Sequence, residues 1–549
     1  MNIQETLQLV RPNIRALEPY STARDECRDA LPEVFLDANE SPCDNGINRY
    51  PDPRQRALKE RIAAIKGIPA GKLFLGNGSD EAVDLLYRVF CTPGKDNAVS
   101  IAPSYGMYGV AAQVNDVAFR QVRLREDFSL DVEALLEATD RNTRLMFVCS
   151  PNNPSGNSFP AEEIETLLEH FKGILVLDEA YIDFSVRATL TPLTERYANL
   201  VVLQTLSKAW GMAGLRIGLA VAEPGIVALL DKVKYPYNIS LPAQKMALAG
   251  LDEALKGARV AEIAGQRFRV AKALGESPFV RKIFPSDANF LLVEVTDPDG
   301  LYDRLLAEKI IVRNRSRVPG CEGCLRITVG TPYENDRLLR AMGVAVPAPE
   351  NGIEMLGDRR VRIHRKTRET DVLLELDLDK AVDGPVDTGL PFFDHMLEQL
   401  PHHGGIGLRV EAEGDLQVDE HHTVEDVGIV LGEAIDRALG AKLGIARYGF
   451  VLPMDDCDAM VLMDFGGRTD FQWHATFRRE KVGDVPTELF SHFFRSVCTG
   501  AKCNLHIAAR GGNEHHKAEA LFKAFARALR MAVARSPFPY GIPSSKGVL

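Results

Sequence analysis

Residues 174–181 read ILVLDEAY and residues 200–208 read LVVLQTLSK. Each is a short, uninterrupted apolar run that ends abruptly in residues able to do chemistry. A third run, Leu145–Cys149, ends the same way in SPNNPSG (150–156). A strand apolar at every position must be covered on both faces, which is the signature of a parallel sheet rather than of a half-solvated one. A helical pattern over Glu162–Phe171 lies between two of these runs, so the alternation predicts a mostly parallel sheet with helices on both sides. In such sheets ligands bind just beyond the carboxyl ends of the strands, where the three polar tails fall. Further downstream, Ala288–Val295 and Cys324–Val329 read as strands of a smaller α/β subdomain.

The chain has 549 residues, and at about 150 residues per domain this predicts three to four domains. A 45% hydrophobic and 26% charged composition is that of a core-forming chain. The net charge of −11, without basic runs, argues against a nucleic-acid partner. No apolar stretch approaches about 18 residues, and Met1–Arg15 lacks the layout of a signal peptide, so no membrane association is expected. Nine cysteines spread thinly suggest reduced thiols, and the expected compartment is the cytoplasm. Of twelve histidines only His170 precedes residue 364, which suggests two chemistries joined in one chain. The composition breaks at Gly343–Gly357, GVAVPAPENGIEMLG. The expected division is 1–345, a linker at 346–356, and 357–549.

In the first part, Asn153 follows one strand, Asp178 and Tyr181 the next, and Thr205, Ser207 and Lys208 the third, with Arg216 eight residues later. Pyridoxal phosphate needs a lysine to hold it as a Schiff base and a carboxylate against its ring nitrogen. Its phosphate needs hydroxyls, backbone N–H groups and an arginine fork. With LDANE (36–40), NRYP (48–51), GNGSDE (76–81), PSYGMY (103–108), TLSKAWGMAGLRIG (205–218) and CLRITVG (324–330), residues 1–345 resemble fold-type I aminotransferases, and more narrowly the histidinol-phosphate aminotransferase family. The resemblance implies the large-plus-small-domain fold of pyridoxal phosphate-dependent transferases. It implies Lys208 as Schiff-base lysine, Asp178 against the ring nitrogen, Asn153 and Tyr181 on the 3-oxygen, and Tyr105 stacked on the ring. Gly78, Ser79, Thr205, Ser207 and Arg216 would surround the phosphate, with Tyr50 reaching in from a second subunit. Arg326 would bind the carboxylate of glutamate, while Tyr20, Asn39 and Arg313 would line the substrate side. An amino-acid-phosphate decarboxylase or a broad aromatic aminotransferase would use a similar pocket.

The second part repeats itself. His395 precedes His421-His422-Thr-Val-Glu425, and His492 precedes His515-His516-Lys-Ala-Glu519, with the two HH pairs 94 residues apart. Each HH-x-x-E opens a helix-like run, and each half begins with a strand-like segment, TDVLLELDLD or CDAMVLMDFG. Tandem half-domains of about 357–447 and 448–549 follow, an α+β duplication. Residues i and i+4 share a helix face, so His421 converges with Glu425 and His515 with Glu519. His422 and His516 project about 100° away and must serve a different ion. Pseudo-symmetry proposes two sites, each with three histidines and one glutamate. Four protein ligands would saturate a tetrahedral zinc, whereas a six-coordinate Mn²⁺ keeps two positions open for substrate. Catalysis thus favours manganese; storage would favour zinc. His364, His402, His403, His474 and His506 read as structural, and Cys321-Glu-Gly-Cys324 lacks the second pair of a zinc knuckle.

This part resembles the imidazoleglycerol-phosphate dehydratase family through RETDVLLELDLD, DTGLPFFDHMLEQL, DEHHTVEDVGIVLG, EHHKAEALFKAFARAL and the terminal PSSKG. The resemblance implies one Mn²⁺ on His395, His422, His515 and Glu519 and another on His421, Glu425, His492 and His516. It also implies phosphate and substrate contacts at Arg447, Arg468, Lys523, Ser545 and Lys546, with Glu369 against the substrate diol. The expected reaction begins by lowering the imidazole N–H pKa. Loss of the hydroxyl beside the ring then gives a diazafulvene, and Glu369 or Glu519 removes the C2 proton. The product, imidazole-acetol phosphate, is the amino acceptor of the first family, with glutamate as donor and 2-oxoglutarate as co-product. The combined expectation is a bifunctional enzyme of histidine biosynthesis. A homo-oligomer is implied, a dimer through the first part and a trimer-based assembly through the second. The alternatives are a metal-storage or regulatory module fused to an enzyme.

Overall fold

The computed structural model describes residues 1–20, 34, 36–346, 352–382, 384–442 and 444–535. The chain forms two compact units, Met1–Ala345 and Val346–Leu549. Among the described residues no helix is long and apolar enough to cross a membrane.

The first unit is built on seven strands: β1 (Leu73–Asn77), β2 (Asn97–Ala102), β3 (Ala118–Arg123), β4 (Thr143–Cys149), β5 (Ile174–Asp178), β6 (Leu200–Thr205) and β7 (Ile217–Ala222). They lie in the order β1-β7-β6-β5-β4-β2-β3. Only β7 runs against its neighbours; the remaining pairs are parallel. The alternating residues of β4 to β6 enter two different cores. Met146, Val148, Leu175, Leu177 and Val202 pack on one face, and Leu145, Phe147, Ile174, Val176, Val201 and Leu203 on the other. Burial of one such side chain contributes roughly 1.5–3 kcal/mol, so coverage of both faces fixes the strands more firmly than any single contact. The small subdomain carries an antiparallel sheet in the order β10-β11-β9-β8, from β8 (Val280–Ile283), β9 (Phe290–Val295), β10 (Arg313–Asn314) and β11 (Cys324–Thr328).

The second unit contains two sheets of matching plan. The first holds β12 (Ile353–Met355), β13 (Arg360–Lys366), β14 (Thr370–Asp377), β15 (Val386–Asp387) and β16 (Gly407–Gly414). The second holds β17 (Tyr448–Met454), β18 (Cys457–Asp464), β19 (Asp470–Ala475) and, beyond the hairpin of β20 (Lys481–Val482) and β21 (Val485–Pro486), β22 (Asn504–Arg510). In both halves a strand pair is followed by a helix, a strand and a longer helix: Pro391–Gly404 and His421–Leu439, then Glu488–Gly500 and Glu514–Val533. One short strand in each half is parallel to its neighbour, β15 to β16 and β19 to β22. The four helices share one apolar core that includes Phe393, Met396, Phe493, Phe494, Phe522 and Phe525.

One expectation is altered. The stretch 346–356, read as linker, ends inside this unit, because Ile353–Met355 pairs antiparallel with Val361–Ile363. Its apolar residues half-cover the core edge, which the flanking prolines and glycines conceal in the sequence.

Candidate active sites

The carboxyl ends of β4, β5 and β6 open into a pocket lined by Gly78, Ser79, Tyr105, Asn153, Asp178, Tyr181, Thr205, Ser207, Lys208 and Arg216. These are the residues the sequence reading assigns to the cofactor, Tyr50 excepted. Asp178 is buried at the tip of β5, and Tyr108 Oη donates to its Oδ2 at 2.6 Å while the Ala180 N–H donates to Oδ1 at 3.0 Å. Burial raises its pKa, opposed by those two donors. Lys208 Nζ lies 5.5 Å from the Tyr181 ring centroid. Its pKa is lowered, first by desolvation and then by Arg326 and Arg216. A weakly basic lysine beside a buried carboxylate fits a carbonyl-bearing, ring-nitrogen cofactor.

A phosphate cradle adjoins it. Helix Ser79–Phe90 starts at the pocket and is held by burying Ala82, Val83, Leu86, Val89 and Phe90 along one stripe. Gly78 precedes it at φ +76°, and its N–H donates to the Arg216 carbonyl at 2.7 Å. β7 approaches so closely that a Cβ at Gly218 would lie 2.0 Å from the Ser79 nitrogen. Free N–H groups at a helix start attract an anion, and Arg216 adds charge. Arg216 is turned toward Asp80 at 3.3 Å, and Tyr105 Oη donates to the same carboxylate at 3.0 Å.

Arg326 Nη1 donates to Asn153 Oδ1, and its guanidinium lies 5.2 Å from the Phe290 ring centroid. Arg313 stands opposite Arg326 across β10 and β11. Tyr50 is outside this pocket, stacked on Tyr237 at 4.5 Å and 47% exposed. Tyr20 borders a separate groove with Pro53, Lys59 and Asp231, so this chain does not bring it to the pocket. Asn39 adopts φ +56° and does not line the pocket either.

In the second unit the long helices bring His421 Nε2 to 3.6 Å from Glu425 Oε2, and His515 Nε2 to 3.7 Å from Glu519 Oε2. The His492 ring lies 4.8 Å from that of His421, and the His395 ring 6.2 Å from that of His515. Two half-sites result: His421, Glu425 and His492, and His395, His515 and Glu519. His422 and His516 point elsewhere. His422 Nδ1 is held by Asp415 at 3.0 Å with Glu369 at 4.0 Å from its Nε2, and His516 Nδ1 by Asp456 at 2.8 Å. Among the described residues no group of three closes to metal-ligand spacing. The donor set, imidazole with carboxylate, nevertheless suits a divalent metal, and each off-face histidine already has the carboxylate partner that orients a metal-binding imidazole.

Of the substrate residues expected here, Arg447 is engaged by Asp464 at 2.5 Å, Lys523 pairs with Glu519 at 2.7 Å, and Arg468 is exposed. Ser545 and Lys546 lie outside the described residues. Sequence reading missed Asp80, Tyr108, Asp415 and Asp456. Each reaches its partner from a different element, so no local spacing announces it. Of the other histidines, His364 pairs with Asp371, His506 with Asp470, and His402 with the Glu398 carbonyl. Cys321 and Cys324 are buried free thiols.

Residues 22–342 match the family model for aminotransferase class I and II, and residues 388–529 that for imidazoleglycerol-phosphate dehydratase. The chain belongs to the class I and II aminotransferases, pyridoxal phosphate-dependent enzymes, and carries a second, dehydratase domain of a metal-dependent family. Its first part is 54% identical over 341 residues to a histidinol-phosphate aminotransferase of Parabacteroides distasonis, covering 62% of this chain and 99% of that one. It is 49% identical to the enzyme of the same name from Christiangramia forsetii, over 61% of this chain and 96% of that one. Among solved structures, the histidinol-phosphate aminotransferase of Sinorhizobium meliloti in complex with pyridoxal-5'-phosphate aligns with a TM-score of 0.50 and 26% identity, over 54% of this chain and 82% of that one. The chain is therefore a histidinol-phosphate aminotransferase-like enzyme fused to an imidazoleglycerol-phosphate dehydratase domain, the arrangement of a bifunctional enzyme of histidine biosynthesis.

Proposed function

We propose that the chain converts imidazole glycerol phosphate to imidazole-acetol phosphate at two Mn²⁺ sites, and then transaminates that ketone with glutamate to histidinol phosphate. The observation that carries this reading is the pairing of a lysine–aspartate pocket at strand ends with histidine–glutamate half-sites at equivalent places of a repeat.

Lys208 would hold the cofactor covalently and, once released, carry a proton from the α-carbon of the donor. Its desolvated amine supports both tasks. Asp178, whose carboxylate accepts from Tyr108 Oη and the Ala180 N–H, would face the ring nitrogen. When bound, pyridoxal phosphate supplies the electron sink for that proton loss. Ser79 N–H, Thr205, Ser207 and Arg216 would hold its phosphate, Asn153 and Tyr181 its 3-oxygen. Tyr105 would cover the ring, and Tyr50 would complete the pocket of a second copy. Arg326, which now shares Asn153, would take the carboxylate of glutamate.

In the dehydratase unit, His395, His515 and Glu519 would hold one Mn²⁺ and His421, Glu425 and His492 the other. Each would be completed by an off-face histidine, His422 or His516, from another copy of the chain. When bound, such ions would supply the Lewis acidity that makes the substrate imidazole N–H easier to lose. Glu369 is the better general base, because Glu519 is already engaged by Lys523 and His515, whereas Glu369 is exposed beside His422. Arg447, Arg468 and Lys523 would bind the substrate phosphate.

The test is direct. The purified chain is incubated with imidazole glycerol phosphate, glutamate, pyridoxal phosphate and Mn²⁺, and products are followed by mass spectrometry. Histidinol phosphate and 2-oxoglutarate are expected; chelation should stop both by blocking water loss, and added imidazole-acetol phosphate should restore them. Tight metal binding with no water loss would identify the second unit as a storage module.

A further inference from the structure

We propose that Arg315 is a third cation of the aminotransferase substrate site, selecting the phosphate of the imidazole substrate over the carboxylate of the amino donor. This rests on the reading of the first unit given above. The Arg315 N–H donates to the Cys324 carbonyl at 2.9 Å, one step beyond the Arg313–Arg326 and Asn314–Leu325 pairs. Residues two apart on a strand share a face, as do residues directly opposite in an antiparallel pair. Arg313, Arg315 and Arg326 therefore emerge on one side of the small sheet. That side faces the cofactor pocket: Leu292 lies opposite Arg326, Arg326 covers Phe290, and Phe290 meets Tyr181 edge-on at 5.1 Å.

Three cations thus share a surface, yet among the described residues none of them has a carboxylate partner. The Nε atoms of Arg315 and Arg326 are buried with no acceptor. Burial and mutual repulsion push both guanidinium pKa values down, Arg315 feeling Arg313 and Arg326 feeling both. Arginine does not deprotonate in response, so the cost persists until an anion arrives.

The two substrates make unequal demands. A carboxylate is planar, singly charged and satisfied by one guanidinium fork. The phosphate of the imidazole substrate carries nearly two charges and three terminal oxygens, and a methylene and an ester oxygen set it further from the reacting carbon. A site that takes both in turn needs a cation that only the longer, more highly charged group engages. Arg326, bonded to Asn153, is placed for both substrates. Arg313 is exposed, whereas Arg315 is half-buried with its Nε already shielded and unpaired, so it is the pre-positioned third charge.

The experiment compares Arg315→Gln and Arg315→Lys with the parent holoenzyme. It measures KM for histidinol phosphate in the reverse reaction, KM for glutamate in the forward one, and Ki for inorganic phosphate. For Arg315→Gln, KM for histidinol phosphate and Ki for phosphate should rise about tenfold to a hundredfold, as loss of a charge-assisted contact predicts, and KM for glutamate by less than about threefold. Arg315→Lys should recover part of the loss, with the visible spectrum of the bound cofactor unchanged in both variants. Equal effects on glutamate and histidinol phosphate, or none on either, would overturn the proposal. Failure of the parent chain to turn over histidinol phosphate would instead refute the reading on which it rests.

Discussion

At the scale of single residues the two sites make separable predictions. Lys208→Ala should lose the visible absorbance of the bound cofactor and all transamination, while water loss from imidazole glycerol phosphate continues at the parent rate. Glu369→Gln should lower the dehydratase kcat by about a hundredfold or more at saturating Mn²⁺, as removal of a general base does, without changing metal content. Retained turnover would exclude Glu369 as the base. Asp415 and Asp456 hydrogen-bond His422 and His516 and raise their pKa values. A raised pKa means the proton is held more tightly, so it competes with metal at higher pH than an ordinary imidazole proton would. Mn²⁺ affinity, read by paramagnetic resonance, should therefore fall as pH drops through the range just above about 6.5, the usual histidine value. In Asp415→Asn with Asp456→Asn that fall should move to lower pH.

The same scale shows what the sequence could disclose. Lys208, Asp178 and Asn153 were legible because each terminates an apolar run that can only be a buried strand. Asp415 and Asp456 were not. They reach their histidines from the segment after β16 and from the β17–β18 turn, and nothing in the linear order sets those pairs apart from other surface carboxylates.

At the scale of elements, the helices of the second unit depend on close approach. A Cβ at Gly432 would lie 2.4 Å from the Val497 carbonyl, and one at Gly428 would lie 2.9 Å from that of Phe493. Helices His421–Leu439 and Glu488–Gly500 thus meet almost backbone to backbone. Gly432→Ala should destabilise the unit by about 1–3 kcal/mol, the usual cost of overpacking, and displace His421 from His492. Calorimetry would register a lower second transition and metal titration a weaker site. Apolar periodicity made these helices readable, and the repeat made their equivalence readable. It did not disclose β12 or the β20–β21 hairpin, two- and three-residue strands whose pairing is decided by tertiary neighbours.

At the scale of the whole molecule, the two chemistries are expected to be separable, and metal removal should demonstrate it. Chelation should abolish dehydration and, because each Mn²⁺ would bridge copies, reduce the assembly to smaller species in native mass spectra. Transamination by the same sample should be unaffected. An assembly unchanged by chelation would mean the ions do not link copies.

The divergence of the paired histidines has a genetic consequence. If every copy lends its off-face imidazole to a neighbour, a copy lacking His422 and a copy lacking His395 are each dead alone, yet a mixture of the two regains some whole centres. Two defective alleles co-expressed in one cell would then rescue each other in part, whereas a single allele missing one of these residues beside an intact one would silence centres only in proportion to its share of the chains.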